Sequence, residues 1–214
     1  MKYTAVIFDL DGTLLDTLAD LSDSVNFAIA KHGLPKHSNE QIKGFVGNGV
    51  EKLIERALPK GTAADLSAKV LADFKTYYAA HSADKTKPYP QILDMLAALK
   101  KQGIKIGVVS NKYDAAVKEL CPHYFGNLID IAVGESPKIH RKPAPDMLLH
   151  AVEYFGLDKK DVLFVGDSDV DAQTAQNAAV DFVGVTWGFR TPADMRPFGA
   201  KVFIDEPMEL LKSH

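Results

Sequence analysis

The sequence predicts an α/β protein, a doubly wound parallel sheet interrupted by an all-helical insertion. Three observations carry this fold class. Five segments rich in Val, Ile and Phe are apolar on both faces, as strands covered on both sides by helices must be. Amphipathic stretches of helical spacing alternate with those strands, the pattern of right-handed crossovers. Between residues 16 and 87 the strands cease while helical patterns continue.

The elements follow in chain order. "AVIFD" (5–9) is the first strand. "DTLADLSDSVNFAIAKHG" (16–33) sets Leu18, Leu21, Val25, Ala28 and Ile29 on one helical face. "VEKLIERAL" (50–58) does so with Val50, Leu53, Ile54 and Ala57, and "AADLSAKVLADFKTYYAAH" (63–81) is a long helix with one apolar side. "KPYP" (87–90), stiffened by two prolines, reads as the return hinge of the insertion. The domain expectation is therefore a core of residues 1–15 and 88–214 with a helical unit of 16–87. Beyond the hinge, "QILDMLAALKKQG" (91–103) and "DMLLHAVEYFG" (146–156) are helices that stop at glycine. The strands "IKIGVVS" (104–110), "IDIAVG" (129–134), "VLFVGD" (162–167) and "DFVGVTW" (181–187) complete the alternation, with a shorter "KVFI" (201–204) after them.

Composition narrows the function. The chain has 214 residues, 46% hydrophobic and 25% charged, enough for a large core, with a formal net charge of -3. No basic run offers a nucleic-acid footprint. No apolar segment reaches the ~18 residues of a membrane helix, and the N-terminus lacks signal-peptide features. The single cysteine, Cys121, has no internal partner, which makes a cytoplasmic setting the expectation and a plain buried thiol its own reading.

Ligands of open α/β sheets collect at the carboxyl ends of the strands. The first strand ends in Asp9 and Asp11, the second in Ser110 and Asn111, and the fourth in Asp167, Ser168, Asp169 and Asp171; Lys142 stands in "RKPAPD" before the preceding helix. Each has a plain structural reading: "DG" is turn chemistry, Asp167 or Ser168 suits a helix N-cap, Ser110 a cap, and Lys142 a solvated surface. Together they converge on one sheet edge. Clustered carboxylates repel and call for a cation; all-oxygen ligands favour Mg²⁺, and a lysine beside them suggests a further anion such as phosphate.

"DLDGTLLDT", "VVSN", "KPAPD" and "VGDSDVD", in this order, resemble the four signature motifs of the haloacid dehalogenase superfamily, and the likeness spans the whole chain. The resemblance implies a Rossmann-like core, a mobile cap inserted after the first strand, and Mg²⁺-dependent phosphoryl transfer through an aspartyl phosphate. It casts Asp9 as nucleophile and metal ligand, the Asp11 carbonyl and the Asp167 side chain as further ligands, and the Asp11 side chain as acid and base. Ser110 and Lys142 would hold phosphoryl oxygens. Gly12 and Thr13 belong to the flap turn, Asn111 and Ser168 line the site, and Asp171 orients Lys142 or a water on the metal. A second acid at Asp11 suits an alkoxide leaving group and argues for phosphate esters over carbon–halogen bonds.

For the substrate, "GFVGNGVEKLIERAL", "GDSDVDAQTAQNA" and "GVTWGFR" most resemble phosphoglycolate phosphatases. Pyrophosphatases, sugar-phosphate phosphatases and phosphomutases of the same superfamily are the alternatives, and a non-catalytic phosphate-binding regulator is the alternative of another class. Gly47, Asn48 and Gly49 precede a helix and suit either close backbone approach to an anion or a plain interhelical turn. Arg190 follows the fifth strand and is a candidate to face the site, whereas Lys52 and Arg56 read as solvated. The expected partner is a small phosphorylated metabolite, with the chain as monomer or homodimer.

Overall fold

The computed structural model describes residues 2–212. The chain divides into two compact units, residues 1–15 with 88–214 and residues 16–87.

The larger unit holds six parallel strands in the order β5-β4-β1-β6-β7-β8. They are β1 (Ala5–Phe8), β4 (Lys105–Tyr113), β5 (Ile131–Glu135), β6 (Val162–Gly166), β7 (Asp181–Val185) and β8 (Val202–Ile204). Two short strands, β2 (Leu15–Asp16) and β3 (Lys87–Pro88), pair where the chain passes between the units. Strand alternation divides the core between two faces. Val6 and Phe8 of β1 pack with α5 (Ile92–Lys101) and α6 (Asp114–Phe125). Ala5 and Ile7 pack on the other face with α7 (Asp146–Phe155) and α8 (Asp169–Ala178). A one-turn α9 (Pro192–Met195) follows β7. The chain winds outward from central β1 to β4 and β5, then returns to its other side for β6, β7 and β8. This reversal makes the carboxyl end of β1 a topological switch point.

The smaller unit is helical: α1 (Leu18–Lys31), α2 (Asn39–Phe45), α3 (Gly49–Ala57) and α4 (Ala64–His81). Its own core joins Leu21, Val25 and Ile29 of α1 to Ile42, Leu53, Ile54 and Phe74. The buried Asp20 carboxylate closes it, accepting hydrogen bonds from the backbone N–H groups of Lys85 (3.0 Å) and Thr86 (2.8 Å) and from the Thr86 hydroxyl (2.8 Å). No helix among the described residues is long and apolar enough to cross a membrane.

Two expected strands shift. β4 runs past Ser110 to Tyr113, with a break in its pairing to β5 between Val109 and Tyr113. β7 ends at Val185, so Thr186 and Trp187 lie in the following loop. The short α2 and the Pro122-containing α6 are additions to the elements read from sequence.

Candidate active site

Asp9 continues the line of β1, its N–H donating to the Val165 carbonyl at 2.9 Å. The chain then turns tightly, with the Gly12 N–H donating to the Leu15 carbonyl at 2.8 Å. Gly12 takes φ +89°, and a Cβ there would meet the Asp167 carboxylate and the Phe189 ring. Only glycine suits both demands. β6 delivers Asp167 alongside, and Ser168 begins α8 as its N-cap. The plain cap reading of Ser168 is thus correct, and the cap also builds the site. Ser168 donates its N–H (3.1 Å) and its hydroxyl (2.6 Å) to Asp171 Oδ2.

Lys142 is the centre of this arrangement. Its ammonium lies 2.7 Å from Asp9 Oδ1 and 2.7 Å from Asp171 Oδ1, with the lysine side chain only 2% exposed. The solvated reading of Lys142 is therefore wrong. Burial opposes its charge, but Asp171 and Asp9 outweigh burial and hold its pKa above that of an ordinary lysine. Asp171 has both oxygens engaged by Lys142 and Ser168, which favours its role as the acid that orients Lys142.

Asp9, Asp167 and Asp171 form a buried group whose carboxylate oxygens lie within 4.8 Å of one another. Burial first, and the Asp171 charge second, push the Asp9 pKa well above the usual carboxylate range. The same causes lift Asp167 to about 7, against hydrogen bonds from the Phe189 N–H (2.7 Å) and the Thr13 hydroxyl (3.0 Å). Asp9 Oδ1 is buried and is paired with the Lys142 ammonium at 2.7 Å. A hard divalent cation fits this set of three buried carboxylates set against one internal ammonium.

The remaining residues take definite positions. Thr13, in the turn, is buried and bonds Asp167, and its carbonyl accepts from Trp187 Nε1 at 3.0 Å. Ser110 is buried, its oxygen accepting the Lys112 N–H at 3.2 Å while its own proton remains a donor. Asn111 turns its amide to the backbone of Lys142. Arg190 Nε sits 3.7 Å from Asp169 Oδ1. In the helical unit, Asn48 accepts from Arg56 Nη2 at 2.6 Å and Phe45 O from Arg56 Nη1 at 2.8 Å. Arg56 is exposed, as expected, and also latches the 45–48 loop.

Sequence reasoning missed Lys112, whose ammonium lies 3.0 Å from Asp11 Oδ1. It also missed Gly188, where a Cβ would strike the Asp167 side chain and the Gly12 carbonyl. Lys112 follows "VVSN" directly, and Gly188 stands inside "GVTWGFR", so both had a signal in adjacency.

Residues 6–185 match the family described as haloacid dehalogenase-like hydrolase. The chain belongs to that family. A phosphoglycolate phosphatase of Pseudomonas putida is 35% identical over 96% of this chain and 78% of its own. An N-acetylmuramic acid 6-phosphate phosphatase of Pseudomonas aeruginosa is 30% identical over 99% of this chain and 94% of its own. A crystal structure from Lactobacillus delbrueckii subsp. bulgaricus, of a protein provisionally assigned as a phosphoglycolate phosphatase, superposes with TM-score 0.93 at 38% identity, covering 98% of this chain and 97% of that one. The haloacid dehalogenase-like resemblance, the α/β core with helical insert, and a phosphatase activity on small phosphorylated substrates therefore stand.

Proposed function

We propose that this phosphatase hydrolyses 2-phosphoglycolate, with Mg²⁺, through a phosphorylated Asp9. The observation that carries the reading is the buried Lys142 ammonium held between Asp9 and Asp171 beside Asp167.

Asp9 and Asp167, with the Asp11 carbonyl, would hold the cation. The cation supplies charge neutralisation for a phosphoryl group entering a nest of carboxylates. Asp9 attacks phosphorus and the ester oxygen departs. Asp11 gives that oxygen a proton, then accepts one from the water that cleaves the acyl phosphate; such help is worth roughly 10² to 10⁴ in rate. Lys142 and the Ser110 hydroxyl hold phosphoryl oxygens, with Asp171 keeping the lysine aimed. Thr13 and the Phe189 N–H fix the Asp167 carboxylate. Residues 47–49 of the helical unit choose among esters.

The similarity to several phosphoglycolate phosphatases supports the substrate. A sugar-phosphate reading has its own support in the Pseudomonas aeruginosa relative. Phosphate release from 2-phosphoglycolate, N-acetylmuramic acid 6-phosphate and para-nitrophenyl phosphate, with Mg²⁺ and with EDTA, tests the assignment. The highest kcat/KM should belong to 2-phosphoglycolate, and folded Asp9→Asn should be inactive. A higher value for the sugar phosphate moves the substrate to that class. Turnover by Asp9→Asn overturns the mechanism.

A further inference from the structure

Both backbone hydrogen-bonding groups of Lys142 are held by one side chain. Asn111 Nδ2 donates to the Lys142 carbonyl at 2.9 Å, and the Lys142 N–H donates to Asn111 Oδ1 at 2.8 Å. The two bonds fix which way the amide faces, because the carbonyl needs a donor and the N–H an acceptor. Asn111 is itself buried, in the stretch of β4 where pairing with β5 breaks. Such a break re-aims side chains that a regular strand would direct elsewhere. Lys142 lies in the loop between β5 and α7, outside any strand or helix.

We propose that Asn111 is a positioning residue: its amide clamps the Lys142 backbone and so sets the ammonium between Asp9 and Asp171. The inference rests on the reading of Lys142 as the phosphoryl-binding cation. A lysine stem is long and flexible, and its rotamer freedom opposes any single placement. Asp171 and Asp9 fix the far end of the side chain, and Asn111 fixes the near end. Only an amide offers donor and acceptor side by side for this task. Aspartate at 111 keeps the shape but presents an acceptor to the Lys142 carbonyl, and alanine removes both bonds.

Kinetics and crystallography test this together. With Mg²⁺ and para-nitrophenyl phosphate, Asn111→Ala and Asn111→Asp should each lose roughly ten- to hundredfold in kcat/KM, the range for partners that orient a site residue. A melting curve verifies that each variant is folded. In Lys142→Ala, and in Lys142→Arg where a displaced cation remains, adding Asn111→Ala should cost clearly less than it does in the wild type. The same fold-loss in all three backgrounds means that Asn111 acts independently of Lys142 and overturns the proposal. In a crystal structure of Asn111→Ala, the Lys142 ammonium should have left at least one of its two carboxylates. An ammonium still within about 4 Å of both overturns the proposal whatever the activity. A wild-type protein that releases no phosphate from any ester instead defeats the functional reading, and the crystal structure still decides the role of Asn111.

Discussion

Lys112 Nζ lies 3.0 Å from Asp11 Oδ1, with the lysine side chain 5% exposed and the aspartate 16%. The end of β4 thus presents a buried cation to the Asp11 carboxylate in the loop after β1. Lys112→Met leaves that carboxylate without its ammonium in a mostly buried place. Chemical unfolding should show a loss of about 1–3 kcal/mol, less than for a fully buried pair because water reaches Asp11. In an Asp11→Asn background the same substitution should cost markedly less. Equal costs in the two backgrounds would mean that the pair contributes nothing to stability.

Gly188 decides whether the β7 loop can close over Asp167. Gly188→Ala would set a Cβ into the Asp167 side chain and the Gly12 carbonyl. The loop or the carboxylate must then shift. The expected results are a stability loss of about 1–3 kcal/mol, as for other overpacked sites, and a higher Mg²⁺ concentration for half-maximal activity. An unchanged Mg²⁺ requirement in a folded variant would separate this loop from the metal.

The raised pKa of Asp167, about 7, couples folding to pH in metal-free protein. Between its unfolded value near 3.8 and about 7, the folded state binds more protons at this carboxyl than the unfolded state does. Asp167 therefore makes stability fall as pH rises through that window and level off above it. Asp9, raised by burial, acts in the same direction. Mg²⁺ prefers the ionised carboxylates, so its stabilising effect should grow over the same range. Melting curves with EDTA from pH 4 to pH 8 should show a downward slope that Asp167→Asn flattens. The same slope in that variant would assign the effect to other groups.

Cys121 is buried among the α5 and α6 side chains of the core, and burial, with Asp11 as a lesser cause, pushes its thiol up to about 12. Thiolate is the reactive form. Folded protein at pH 8 should resist a thiol reagent that labels the denatured chain within minutes. Fast labelling of the folded protein would contradict the plain reading of this cysteine.

Gly47 and Gly49 take φ values of +125° and +80°. Valine there would strain the backbone whatever the substrate, so specificity is better tested at Asn48, which Arg56 holds. If this loop selects the ester, Asn48→Ala should lower kcat/KM for 2-phosphoglycolate about tenfold relative to para-nitrophenyl phosphate, a difference near 1.4 kcal/mol. A constant ratio of the two substrates would leave the loop as a turn and no more.

The strands were legible because parallel strands are apolar on both faces, and "AVIF" admits little else. Their carboxyl ends followed, and with them Asp9 and Asp167, whereas Lys142, in a loop, was legible only through "RKPAPD". Helix α2 was illegible because Ile42 is its one buried residue; its remaining signal is the Ser38–Gln41 capping box. Pro122 obscured α6, because a proline beyond the first turn forfeits its own N–H bond to the carbonyl four residues back and so reads as a helix end. The partner of Lys112 was hidden for another reason. Alternation along β4 fails where its pairing with β5 breaks, so the direction of residues 110–112 follows from neither period nor propensity.

The helical unit buries Leu21, Ile42, Leu53, Phe74 and their neighbours against one another, all from residues 16–87, while both faces of the sheet are filled from the other two segments of the chain. Packing requirements are thereby written into separate blocks of sequence. Changes within the block 16–87 are judged by that block's own core and do not enter the two clusters that fill the faces of the sheet. If the helical unit selects the ester, as proposed above, exchanging that one contiguous stretch would change specificity while the packing of the sheet stays as it is.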